Sequence, residues 1–242
     1  DFEDLEQSFK DGAKALILCS PHNPVGRVFT KAELDKLVAL AKKYHVLIIS
    51  DEIHGDIIMP NHTFISLASY FDDYDHMIII SAPSKTFNIA GLQIAHIIIK
   101  NEVIRNSVKK LYQKYHLAYP NSLALVALDA AYNNSAYWVD LQNQHIMNNY
   151  LTLKERLEKS FNNIHITPLE GTYLAWVDLS FTNKHSKEIV KTLAKEGVML
   201  SAGHTFSKAT SQFVRINLAT SKAQLDTAID RIITGIKRLM EV

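Results

Sequence analysis

Met77-Ile78-Ile79-Ile80-Ser81-Ala82-Pro83-Ser84-Lys85-Thr86-Phe87-Asn88-Ile89-Ala90-Gly91-Leu92 decides how the rest of the chain is read. Its first four residues are apolar and are followed by small polar ones, the pattern of a buried strand. A lysine follows on a compact polar turn. A lysine drawn out of water there loses part of its preference for the charged form, which makes it a nucleophile toward carbonyls and a usable base. Read alone, Lys85 is first of all a solvated loop residue. Its meaning depends on what else in the chain points to the same place.

Working outward, the pattern recurs. Ala15-Leu16-Ile17-Leu18-Cys19 is a short apolar strand running into Ser20-Pro21-His22-Asn23-Pro24-Val25-Gly26-Arg27, a loop with two prolines and a glycine. Thr30, with Glu33 three residues on, is a capping box that opens a helix. Leu34, Leu37, Val38, Leu40 and Ala41 follow at helical spacing. Val46-Leu47-Ile48-Ile49 is the next strand, ending in Ser50-Asp51-Glu52-Ile53-His54-Gly55. Residues 95–99 form another, close enough to the lysine strand for an antiparallel edge. Continuous apolar strands separated by helices or long connections indicate an α/β fold with a mostly parallel sheet covered on both faces. Ligands in such sheets sit beyond the carboxyl ends of the strands. Three polar loops fall there: 21–27, 51–55 and 81–88.

The remainder divides by pattern. Residues 3–12 predict a short helix ending at Gly12. Helices are predicted over 103–115 and 122–132, and a long one from 135 to about 160 that links two domains. The boundary is placed inside it, giving a large domain over 1–138 and a smaller α+β domain over 139–242. The smaller domain has strands near 164–167, 172–178, 198–200 and 213–218 and helices near 186–196 and 222–240. Ser221 with Gln224 makes a second capping box.

Bulk composition excludes several classes. The 26 basic and 25 acidic residues nearly cancel, against the basic excess that nucleic acid or an anionic membrane surface requires. No apolar run is long enough for a spanning helix, and Asp1-Phe2-Glu3-Asp4 is no signal peptide. The single cysteine, Cys19, excludes an internal disulfide, fits the reducing cytoplasm and reads as a buried structural thiol. The 11 histidines show no metal-ligand spacing, so no metal is expected; His22 and His54 fall at strand ends.

The strand-end residues are chemically complementary. Lys85 can condense with an aldehyde cofactor, and Asp51 can hold a positive charge on a ring nitrogen. Asn23 can donate a hydrogen bond to a phenolate oxygen. Arg215, in Phe213-Val214-Arg215-Ile216-Asn217, offers a rigid fork for a carboxylate. These are the needs of pyridoxal 5′-phosphate acting on an amino acid. Plainer readings stand beside them: Asp51 as a helix cap, Asn23 as an ordinary turn residue, Arg215 as a surface cation.

Asn23-Pro24-Val25-Gly26, Ser50-Asp51-Glu52-Ile53-His54, Ser84-Lys85 with Gly91 six residues on, and Arg215 stand in the order found in fold-type I pyridoxal-phosphate enzymes of the class I/II aminotransferase superfamily. The resemblance covers essentially the whole chain. Ser20-Pro21-His22-Asn23-Pro24, the His54 of Asp-Glu-Ile-His, and the run from Ala82 to Gln93 resemble the cystathionine β-lyase (C–S lyase) branch more than ordinary aminotransferases. Glu170-Gly171-Thr172-Tyr173-Leu174-Ala175-Trp176 is similar to the segment that leads the small domain there.

The resemblance implies a role for each residue. Lys85 would bind the cofactor covalently and later remove the substrate Cα proton. Asp51 would pair with the ring nitrogen and Asn23 with the ring oxygen. His54 stands where many aminotransferases have a tyrosine that touches that oxygen. Ser81 and Ser84 are candidates for the phosphate, Arg215 for the α-carboxylate, and Tyr173 for the pocket wall or simply the core. Trp138 and Trp176 read as packing residues. Gln93 stands where many members carry a phosphate-binding arginine. Family members are longer at the N-terminus, so the chain reads as part of a longer protein that carries one wall of the site. The function implied is a C–S β-lyase releasing a thiol, pyruvate and ammonia from a sulfur amino acid, acting as a cytoplasmic homodimer. An aminotransferase, or a truncated non-catalytic or regulatory protein, are the alternatives.

Overall fold

The computed structural model describes residues 1–117 and 119–241. The chain forms two compact units. One comprises Asp1–Pro21, Val28–Ile58 and His62–Asp140; the other comprises His22–Arg27, Met59–Asn61 and the chain from Leu141 onward.

The first unit is built on β1 (Ala15–Cys19), β2 (Leu47–Asp51), β3 (Met77–Ser81) and β4 (His96–Ile98), in that spatial order. β1, β2 and β3 are parallel and β4 is antiparallel. It is thus a mixed α/β unit with a mostly parallel sheet. Two helices, α1 (Phe2–Lys10) and α2 (Lys31–Tyr44), supply apolar side chains to its core. The helical spacing of Leu34, Leu37, Val38 and Ala41 brings them onto one buried face, against Ile48, Met77 and Ile79 of the sheet. The capping box forms: Thr30 Oγ1 accepts from Glu33 N–H, and a Glu33 carboxylate oxygen accepts from Thr30 N–H.

Coverage of the sheet is less complete than its apolar strands predict. Ile17 on β1 is 73% exposed, and Ile97 and Ile98 on β4 are exposed too. Among the described residues, β2 and β3 alone in this sheet have strand neighbours on both sides, and an apolar run cannot tell a central strand from an edge one. Cys19 is half-buried rather than buried, with Sγ 3.5 Å from the Pro21 carbonyl oxygen.

After β3 the chain makes the one-turn helix α3 (Pro83–Thr86), with Pro83 in its first turn. Two longer helices follow, α4 (Glu102–Lys114) and α5 (Ser122–Asn134). α5 is apolar on more than one face: Ala124 and Ala131 are buried while Leu123, Leu125 and Val126 lie exposed. The 25-residue helix α6 (Ala136–Ser160) carries the chain out of the first unit, the division falling between Asp140 and Leu141.

The second unit holds β5 (His165–Ile166), β6 (Leu174–Asp178), α7 (Ser186–Lys195), β7 (Ser201–Ala202), β8 (Phe213–Asn217) and α8 (Lys222–Met240). Its sheet runs β5-β6-β8-β7, antiparallel throughout. Gly235 lets α8 approach α7, since a Cβ there would meet Leu193 Cδ2 at 2.7 Å. Two strands differ from expectation. The strand predicted over 198–200 lies at Ser201–Ala202, because those residues match Arg215 and Val214 in register, and Met199 is left exposed. β6 starts at Leu174 and not at 172, because Thr172 is left-handed (φ 67°), which ends an extended run.

The loop His22–Arg27, though early in the chain, belongs to the second unit. It closes on itself through His22 N–H to Arg27 O and Gly26 N–H to His22 O, both 2.7 Å. Gly26 O accepts from the N–H groups of Glu170 and Gly171, at 2.9 Å each. Gly26 has φ 79°, and a Cβ there would lie 2.8 Å from Leu169 Cδ1, so glycine is required. Ser20–Pro21 and Asn23–Pro24 are cis peptide bonds.

Candidate active site

The first unit gathers Asp51, His54, Ser81, Ser84 and Lys85; the second gathers Asn23, Tyr173 and Arg215.

In the first unit the sheet register sets the geometry. Asp51, the last residue of β2, is level with Cys19 of β1 and Ile80 of β3. Ser81 ends β3, and Lys85 follows four residues later on α3. Asp51 and the lysine turn therefore leave the carboxyl ends of adjacent parallel strands, which lie about 4.8 Å apart. The stretch read as a polar turn is helical: Phe87 N–H bonds to Pro83 O at 2.9 Å, and Ile89 N–H to Ser84 O at 3.2 Å. Lys85 is half-buried, and its Nζ has no hydrogen bond or ion pair among the described residues. Asp51 is no helix cap; its Oδ1 accepts from Ile53 N–H at 3.2 Å, which holds the turn after β2. His54 is buried in that turn, and its carbonyl accepts from Ile57 N–H. Near Ser81, the Tyr132 phenol has its pKa pushed up by burial and by nearby Asp56, with Ser81 opposing.

Glu52, which the sequence reading passed over, anchors this turn. It is buried, and its Oε1 accepts from Ser50 Oγ–H and from Leu67 N–H, both at 2.9 Å. Burial raises its pKa against the opposing hydrogen bonds from Ser66, Leu67 and Ser50. An acidic residue directly after an apolar strand and beside Asp51 was the available signal.

In the second unit Arg215 is held from three directions. Its Nη1–H donates to Asn23 Oδ1 at 2.8 Å and its Nη2–H to Ser201 Oγ at 3.0 Å. The guanidinium lies 5.0 Å from the Phe206 ring centroid, a cation–π contact. Trp176 stands opposite Arg215 in the β6–β8 ladder and packs on both Phe206 and Phe213. Burial pulls the Arg215 pKa down while Tyr173 opposes the shift; burial raises the half-buried Tyr173 phenol, with Arg215 opposing. Asn23 and Arg215, predicted for different ligand atoms, are thus bonded to each other. Ser201 and Phe206 carried no local sequence signal, because a strand pairing and a 3-10 turn bring them to Arg215. Among the described residues no cluster of three His, Cys, Asp or Glu could hold a metal, and no helix is long and apolar enough to cross a membrane.

A lysine and an aspartate at the ends of adjacent parallel strands, with an Asn–Arg pair in an α+β unit, accord with one class of protein. The chain belongs to the aminotransferase class I and II family, whose model matches residues 1–232. Within it, the chain is 35% identical over 235 residues to cystathionine beta-lyase PatB of Bacillus subtilis (strain 168), across 96% of the chain and 61% of that relative. It is 30% identical to protein MalY of Escherichia coli (strain K12), across 94% of the chain and 58% of that relative. Among solved structures it is similar to cystalysin from Treponema denticola, which contains a pyridoxal 5′-phosphate cofactor (33% identity, TM-score 0.92, 99% of the chain and 61% of that one). It is also similar to a pyridoxal-phosphate-bound protein of Clostridium difficile 630 provisionally assigned as an aminotransferase (37% identity, TM-score 0.94, 98% and 61%). The chain thus spans about three fifths of the length of the relatives it matches.

Proposed function

We propose that this chain carries the cofactor lysine and its companions in a pyridoxal 5′-phosphate-dependent carbon–sulfur β-lyase acting on cystathionine-like thioether amino acids. The observation that carries the reading is the placement of Lys85 and Asp51 at the carboxyl ends of adjacent parallel strands. The donor set fits the cofactor. Lys85 Nζ has no partner among the described residues, and Asn23 holds Arg215 through Oδ1 while its Nδ2 donors stay unengaged among the same residues. Lys85 and Asp51 would hold the aldehyde and the ring nitrogen, Asn23 and His54 the ring oxygen, and Ser81 and Ser84 the phosphate.

When bound, pyridoxal phosphate supplies an electron sink for a carbanion at the substrate Cα. Arg215 would grip the α-carboxylate with its fork, and Tyr173, close enough to influence Arg215 electrostatically, would stand beside it. Asp51 keeps a proton at the ring nitrogen. Lys85 Nζ takes the Cα proton as a general base. The electron pair left at Cα forms a Cα–Cβ double bond as the Cβ–S bond breaks, and the sulfur departs as a thiolate that takes the proton held on Lys85 Nζ to become a thiol. Water then converts the three-carbon remainder to pyruvate and ammonia.

The likeness to proteins named cystathionine beta-lyase, at 35% and 32% identity, supports lyase chemistry; an aspartate aminotransferase of Pyrococcus abyssi stands at 26%. An aminotransferase is the second reading, favoured by the similarity to the Clostridium difficile protein. Cytoplasmic placement and a homodimer belong to the same proposal; the exposed Leu123, Leu125 and Val126 of α5 are apolar surface that a second copy would cover.

Mixing the protein with pyridoxal phosphate is expected to give a visible absorbance band that Lys85→Ala abolishes. Adding cystathionine is expected to release free thiol and pyruvate together. Amino transfer to a keto acid without thiol release would replace the lyase with the aminotransferase, and no band would favour a non-catalytic chain. Sedimentation velocity tests the dimer.

A further inference from the structure

Lys85 sits on a helix too short to hold itself. An isolated helical turn is unstable in water, because closing it orders several residues for one hydrogen bond. α3 has four residues, and Lys85 Nζ makes no bond of its own among the described residues. Its placement must come from neighbours, and Thr86 is where they act. Thr86 is fully buried. Its hydroxyl donates to Asp56 Oδ2 at 2.9 Å, and its carbonyl oxygen accepts from Trp138 Nε1–H at 2.8 Å. Asp56 lies 30 residues before it, in the segment after β2, and Trp138 lies 52 residues after it, in the first turn of α6. The residue next to Lys85 is therefore pinned on both its side chain and its backbone by two distant segments. A third contact follows one residue later, where Phe87 meets Tyr132 of α5 edge-on at 5.8 Å.

We propose that Asp56 and Trp138 are positioning residues for Lys85, forming a brace on Thr86 that holds the one-turn helix and so the direction and environment of the lysine amine. Trp138 is then more than the packing residue its sequence context suggests. The purpose of the brace rests on the reading of Lys85 as the cofactor lysine, but its mechanical action does not. Three substitutions separate the parts. Trp138→Phe removes the indole N–H and keeps a ring. Thr86→Val removes the hydroxyl and nearly keeps the shape. Asp56→Ala removes the acceptor.

Two readouts need no cofactor. The first is amide exchange at Phe87 and Ile89, whose bonds to Pro83 O and Ser84 O close the turn. Leaving the buried Thr86 carbonyl without a donor is expected to speed exchange there by about tenfold or more in Trp138→Phe, with the β1–β2 ladder unchanged. The second is the rate of Lys85 labelling by an amine reagent at fixed pH, followed by mass spectrometry. It is expected to change severalfold in Trp138→Phe and Thr86→Val, because the turn that directs the half-buried amine loosens, while the rate at exposed Lys109 stays put. A loss of fold would alter both lysines and the ladder together. Unchanged exchange and an unchanged Lys85 labelling rate in folded Trp138→Phe and Thr86→Val would overturn the brace. If neither parent nor variant binds pyridoxal phosphate, the cofactor reading fails, and exchange and labelling still decide the brace.

Discussion

Replacing Glu52 with alanine tests how the turn that carries Asp51 and His54 is held. Two buried donors, Leu67 N–H and Ser50 Oγ–H, point at one carboxylate oxygen at 2.9 Å each. Ser50 is 0% exposed and Leu67 1%, so water cannot take over as acceptor without opening the unit. An orphaned buried donor costs about 1–3 kcal/mol; with some relief from rotation of the serine hydroxyl, Glu52→Ala should destabilise the first unit by about 3 kcal/mol. Glu52→Gln keeps an oxygen where both donors point and should cost less than about 1 kcal/mol. The two variants also differ from the parent in pH dependence. Burial raises the Glu52 pKa above its ordinary 4.5. The folded unit then binds that proton more readily than the unfolded chain does. The stability this contributes is complete below the unfolded pKa and is lost as pH rises through the folded one. Glu52→Gln removes the loss, so its deficit against the parent should shrink as pH rises above the ordinary carboxylate range. The assay is urea unfolding followed by Trp138 emission in a Trp176→Phe background, which reads the first unit alone because Trp176 lies in the second. A cost below about 1 kcal/mol for Glu52→Ala, or equal costs for the two variants, would refute the reasoning, since glutamine keeps an acceptor for the two donors and alanine leaves them none.

Other outcomes can be checked with ordinary means. Arg215→Lys keeps the charge but cannot span Asn23 and Ser201 or fork a carboxylate, so kcat/KM for amino-acid substrates should fall by about 100-fold, mostly through KM. An unchanged KM would remove Arg215 from the substrate site. Gly203→Ala would put a Cβ 2.2 Å from Thr210 O and 2.6 Å from Phe213 O, both backbone atoms. The second unit should lose at least about 2 kcal/mol, read by Trp176 emission in a Trp138→Phe background. Glu6 has its pKa lowered to about 2 by hydrogen bonds from Lys43 and Tyr44. A depressed carboxylate contributes stability that is present above the unfolded pKa and lost as pH falls through the folded one. The protection of α1 amides, taken relative to their intrinsic exchange rate at each pH, should therefore fall between about pH 4.5 and 2, and Glu6→Gln should flatten that response.

Much of the architecture was legible because it is written locally. Hydrophobic periodicity marked α2, β2 and β3, and the Thr30–Glu33 pair marked a helix start that the structure reproduces. The order of Asn23, Asp51, Lys85 and Arg215 carried the family. Reading failed where an element is defined by its partner. Val198-Met199-Leu200 is the more apolar segment, yet Ser201 and Ala202 make the ladder, because β8 supplies bonds only to them. Ile17 sits in an apolar run and is exposed, because burial of the second face depends on what covers it.

The sequence by itself determined the family to which this chain belongs and nominated the residues proposed to carry its chemistry, since helix caps, strand patterns and motif order depend on neighbours a few positions apart. Tertiary structure alone decided how those residues are held. Arg215 reaches Asn23 across 192 residues, Leu67 reaches Glu52 across 15, and Trp138 reaches the carbonyl beside Lys85 across 52. No local pattern encodes such pairs. A hydrogen bond to a buried group depends on which donor the packed core leaves within about 3 Å, and that is known only once the sheet register and the helix positions are set.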